Sequence, residues 1–137
     1  MPSIDKEVLE KSFVKTGAAL DRLGELVAML EGSNSLLLDA TLQRFEFCFE
    51  SLWKLFRKVH FVRGETTRRP YEAIKEAGAA GWLGNRETWQ QMIDDRNVSV
   101  HTYNKVDAEA IFKRIRENFY PEMRHAYQTV HTEFYPR

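Results

Sequence analysis

The chain has 137 residues, 43% hydrophobic and 29% charged, with 20 basic and 20 acidic side chains. That is enough for one domain spanning 1–137 around one sizeable core, and too apolar for a disordered chain. A net charge of zero excludes a global field that would draw in nucleic acid, so any RNA-binding surface must be a local patch.

The single Cys48 excludes an intrachain disulfide, and four scattered histidines offer no thiolate-based zinc site, so neither metal nor cofactor is expected. This suits a reducing compartment. The first residues show no basic segment followed by an apolar run, and apolar stretches are broken well short of about 20 residues. A soluble cytoplasmic protein is the expectation.

Ser3 or Asp5 can cap a first helix running to about Glu31. Leu9, Phe13, Thr16, Leu20, Leu23, Val27 and Leu30 form its apolar seam, interrupted by Thr16 beside Gly17-Ala18-Ala19, where small residues permit close helix approach. Gly32 to Ser35 ends that helix and caps the next. The second helix, about Ser35 to Val62, repeats the seam at Leu38, Leu42, Phe45, Phe49, Leu52, Phe56 and Val59. It also carries Phe47, Cys48, Trp53 and Leu55 off the seam, as a central helix or one facing another chain would. Trp53 and the phenylalanines read as core or dimer interface.

Between Lys54 and Arg69, the bases Lys54, Arg57, Lys58, Arg63, Arg68 and Arg69 face only Glu65. A solvated basic helix end is one reading; an RNA phosphate track on Lys54, Arg57 and Lys58 is the other. Pro70 suits the first turn of a short helix, Tyr71 to about Ala79, and Asn85 caps a fourth helix. Asp107 starts the last, with Ile111, Ile115, Phe119, Met123, Ala126, Val130 and Phe134 inward. Pro121 should kink or split it. The architecture expected is all-α: an antiparallel four-helix bundle with an additional short helix.

The end of the fourth helix concentrates chemistry. Asp95-Arg96-Asn97-Val98-Ser99-Val100-His101-Thr102-Tyr103 places Arg96 on an apolar stripe continued from Trp89, Met92 and Ile93. A permanent charge there needs a partner or a cleft, and Glu46, Glu50 and Asp94 are candidate partners. Asn97 and His101 lie one turn apart. Arg96 and His101 are about 140° apart around the axis, so a second wall is needed to unite them.

Arg44-Phe45-Glu46-Phe47-Cys48-Phe49-Glu50-Ser51-Leu52-Trp53-Lys54 resembles the second helix of the nucleotidyltransferase substrate-binding protein family, a branch of the HEPN superfamily. The stretch from Arg96 to Tyr103 resembles its R-x-x-x-x-H-x-Y motif as found in HepT-type toxins. The resemblance implies a homodimer whose two motifs face one cleft. It implies a metal-independent ribonuclease toxin with Arg96 and His101 catalytic, Asn97 assisting, and tRNA or mRNA as substrate. The partner would be a minimal nucleotidyltransferase antitoxin that adenylylates Tyr103. The family's other description implies a non-catalytic subunit that presents substrate or nucleotide to that enzyme.

Overall fold

The computed structural model describes residues 6–29, 35–64, 69–99 and 105–135. Its elements are α1 (Lys6–Val27), α2 (Ser35–Val62), α3 (Pro70–Ala79), α4 (Arg86–Ser99), α5 (Lys105–Arg114), a π-helical turn (Ile115–Phe119) and α6 (Tyr120–Phe134). No strand occurs among the described residues. The two long seams define the core: every described residue of the α1 seam and all seven seam residues of α2 are buried.

Paired contacts show how the long helices run. Ser12 meets Lys58 and Ala19 meets Cys48, so α1 and α2 are antiparallel. Phe13 meets Tyr127 and Asp21 meets Arg124, so α1 and α6 are antiparallel as well. α2 is central, packing against α1, α3, α4 and α5. The small-residue stretch of α1 does what its composition suggests. A Cβ on Gly17 would stand 2.7 Å from the Tyr127 hydroxyl, which donates to the Phe13 carbonyl at 2.9 Å. Thr16 fits the apolar seam because its hydroxyl donates to the Ser12 carbonyl one turn back, at 2.8 Å.

Local chemistry sets the shorter elements. Arg69 is extended before Pro70, as the proline ring demands, and Pro70 opens α3. Gly81, at φ +83°, closes it: its N–H donates to the Gly78 carbonyl and that of Trp82 to the Ala77 carbonyl. This paired closure needs a left-handed residue, and it turns Trp82 into the core. Asn85 caps α4 through its side-chain oxygen, which accepts from the Thr88 N–H at 3.1 Å.

Pro121 follows an interruption of the last α-helix, a π-helical turn that divides it without breaking the run of helical residues. Arg114, Phe119 and Tyr120 are all right-handed helical, and the Tyr120 N–H donates five residues back to the Ile115 carbonyl. The wide turn just before Pro121 loosens the ladder where the ring would otherwise meet the carbonyl four residues earlier. It also explains the apolar spacing. Ile111, Ile115, Phe119 and Met123 are all buried, yet steps of four precess by about 40° each in a straight α-helix. The π turn rotates the chain back.

Candidate functional site

Arg96 projects from the last turn of α4 toward α2, where its guanidinium is ion-paired with Glu50. Glu50 is among the three acids the sequence offered as partners. The guanidinium also lies 6.0 Å from the centre of the Phe49 ring. Neither partner is deeply buried, at 32% and 30% side-chain exposure, so the pair sits at a surface. Glu50 is a shared acceptor: the Trp53 indole N–H donates to its other oxygen at 2.9 Å, and Lys54 stands 4.0 Å away. Next to Arg96, the buried Asp95 takes both Nε and Nη2 of Arg114, at 2.6 and 2.9 Å. That bidentate clamp fixes the end of α4 against α5, and so fixes the direction in which Arg96 leaves its helix.

Arg96 and Glu50 line a groove of about 610 Å³ between α1 and α2. Its walls carry five cations (Lys11, Lys15, Lys54, Lys58 and Arg96) against two carboxylates, Glu46 and Glu50. Burial draws the Lys58 ammonium pKa below the ordinary lysine value, and the charges of Arg57, Lys15 and Lys54 lower it further. Lys58 also donates to the Ser12 hydroxyl at 3.3 Å across the groove floor.

The basic stretch of α2 therefore divides. Lys54 and Lys58 line the groove, whereas Arg57 is spread over the Trp53 ring at 5.0 Å and is not among the lining residues. Arg63 is engaged elsewhere, paired with Glu133 and 5.5 Å above the Trp82 ring. Arg68 lies outside the described residues. Trp53 is 8% exposed and packs as core, in keeping with its expected place. Phe47 is not part of the core: it is 41% exposed and lines the groove. Lys11 and Lys15 carried no signal in the sequence beyond a polar helix face.

His101 and Tyr103 lie outside the described residues, as does the Asn97 side chain. Of the other histidines, His60 is buried and stacked on Trp82, with ring centres 4.8 Å apart, and His131 packs edge-on against Phe13. Among the described residues no three His, Cys, Asp or Glu side chains are grouped to hold a metal ion. No described helix is long and apolar enough to cross a membrane.

A helical chain with this α2 and this arginine-bearing α4 falls within a known class. Residues 11–132 match the family described as nucleotidyltransferase substrate binding protein like, and the chain belongs to that family. A protein from Thermus thermophilus, known from its crystal structure, is 32% identical. The match covers 89% of this chain and 99% of that one, with a TM-score of 0.71. No curated protein matches the sequence.

Proposed function

We propose that the chain is a metal-independent endoribonuclease that acts as a toxin and is restrained by a partner nucleotidyltransferase. The observation that carries this reading is the placement of Arg96, an always-charged phosphate ligand, in the lining of a cation-rich groove in a chain of zero net charge. RNA cleavage without metal needs a base for the 2′-hydroxyl proton, an acid for the 5′-oxygen, and a cation against the charge that builds on phosphorus. Arg96 suits the last task. An ordinary imidazole can take or give a proton at neutral pH, so His101 would suit either proton role, and a homodimer would bring a second imidazole to one cleft. Asn97, one turn before His101, would orient its ring or contact phosphate. The products would be a 2′,3′-cyclic phosphate and a 5′-hydroxyl. Adenylylation of Tyr103 would add a negative charge and a bulky base two residues from His101, shutting out RNA by repulsion and sterics.

Cleavage of total tRNA and ribosomal RNA, with chelator present, tests the assignment. His101→Ala and Arg96→Ala should abolish cleavage while leaving the helical circular-dichroism spectrum intact; cleavage by His101→Ala protein would refute it. Tyr103→Phe protein should escape neutralisation by the active partner enzyme.

A second reading is a non-catalytic subunit that presents substrate or nucleotide to the nucleotidyltransferase. The family description favours it, and so does the Arg96–Glu50 pair, because a guanidinium already matched to a carboxylate must share it with an incoming phosphate. Expression of the chain alone separates the two. Growth arrest relieved by Arg96→Ala or His101→Ala belongs to the nuclease, and harmless expression to the presenting subunit.

A further inference from the structure

We propose that the groove between α1 and α2 is a binding track for single-stranded RNA. In it Lys11, Lys15, Lys54 and Lys58 follow the phosphates, and Phe47 stacks a base. The inference rests on the ribonuclease reading for its choice of RNA, and it adds the residues that would hold the strand on either side of the bond cut.

The charge arrangement comes first. Lys11 and Lys15 are one turn apart on α1, and Lys54 and Lys58 one turn apart on α2, so each wall offers two ammonium groups about 6 Å apart along its axis. The groove's cations outnumber its carboxylates by five to two: Lys11 meets the exposed Glu7 at 3.3 Å, Lys54 stands 4.0 Å from Glu50, and Glu50 is shared with Arg96 and the Trp53 indole. Burial, and after it the neighbouring charges of Arg57, Lys15 and Lys54, hold the Lys58 ammonium pKa below its ordinary value, so these cations stand close together. Four such groups on two walls suit a run of phosphates better than the single phosphate of a small ligand.

Phe47 decides the kind of strand. It is a large apolar side chain at the surface of this groove, with the Lys15 ammonium 5.5 Å from its ring centre. Cations tracking a backbone beside an exposed aromatic face are what a single strand requires, because its bases are free to stack. In a duplex those faces are hidden. An anionic lipid surface or an acidic peptide would match the charges, but a single strand also brings a flat base to each phosphate for the exposed ring.

The test is fluorescence anisotropy with the full chain and a short labelled 2′-O-methyl oligouridylate, which lacks the attacking hydroxyl and cannot be cut. Titrations run at several salt concentrations. The double variant Lys11→Gln, Lys15→Gln should bind about tenfold or more weakly, with a log–log salt slope shallower by roughly 1.4. Phe47→Ala should weaken binding about fivefold or more with the slope unchanged. Lys75→Gln, Lys113→Gln, which removes two exposed charges from α3 and α5, should bind like wild type. Unchanged affinity in the α1 double variant, or weakening with the wild-type slope, overturns the track. So does preferential binding of duplex RNA or of anionic phosphatidylserine vesicles. If wild type cuts RNA while the groove variants bind normally, the track alone falls; if wild type neither binds nor cuts RNA, the ribonuclease reading falls with it.

Discussion

Two regions of the molecule use the same pair of groups for opposite ends. On α6, Glu122 accepts from the Trp89 indole at 3.0 Å and from the Gly84 N–H at 2.7 Å, while Glu133 accepts from the Trp82 indole at 2.7 Å and pairs with Arg63. On α2, Glu50 accepts from the Trp53 indole and pairs with Arg96. In all three, a carboxylate turns the polar edge of a tryptophan into an anchor. The surroundings differ. Trp82 and Trp89 are fully enclosed, and their carboxylates bolt the α3–α4 region onto α6. Glu50 opens on a groove of unbalanced positive charge. One motif is a fastening where donors and acceptors are matched locally, and a candidate site where they are not.

The largest test of that contrast is Trp89→Ala, expected to cost about 3–5 kcal/mol in chemical denaturation because it empties a packed volume and strands Glu122. Next comes Glu122→Ala, at about 1–3 kcal/mol, since a buried indole N–H and a backbone N–H lose their acceptor. Glu50→Ala should cost about 1 kcal/mol or less, discounted because both partners of its ion pair are about a third exposed. It should nonetheless change RNA affinity, which Glu122→Ala should not. Equal stability losses with equal RNA affinities would erase the distinction between the two carboxylates.

Cys48 gives a smaller, pH-dependent effect. Burial pushes its thiol from 9.0 up to about 12, and the thiol donates to the Ala19 carbonyl at 3.2 Å. The unfolded chain then gives up this proton first. Its contribution to stability is full below pH 9.0 and is lost as pH climbs toward about 12. In denaturation series from pH 8 to 11, Cys48→Ala should flatten the alkaline decline. Smallest of all, Asp21→Asn breaks an exposed contact with Arg124 and should fall within about 0.5 kcal/mol of wild type.

Much of this was legible in the sequence. The seams of α1 and α2, the Asn85 cap, the Pro70 start and the Gly17 contact follow from spacing and residue type, because each is decided within a few turns of chain. Arg96 announced itself as a charge on an apolar stripe. What the chain order hides is which distant partner wins. Glu50 was one of three acids in reach of Arg96, and the Trp82–Glu133 and Trp89–Glu122 bonds join residues 51 and 33 apart. Lys11 and Lys15 look like any solvated helix face until α2 lays Lys54 and Lys58 opposite them. Phe47 reads as core or dimer interface, and the packing leaves it outside the core. The run Ile111, Ile115, Phe119, Met123 did hold a clue to the wide turn, in steps of four with no three among them.

That wide turn also gives the last helix a place where its length is negotiable. A π turn amounts to an α-helix with one residue let in, so taking one out restores the regular ladder without twisting one half against the other. Deleting the exposed Glu117 should keep Glu122 and Glu133 aimed at their indoles, yet lower Tm by several degrees, because the regular ladder sets the Pro121 ring against the carbonyl four residues earlier. The same deletion at Gln128 would swing Glu133 a quarter-turn or so away and release Trp82.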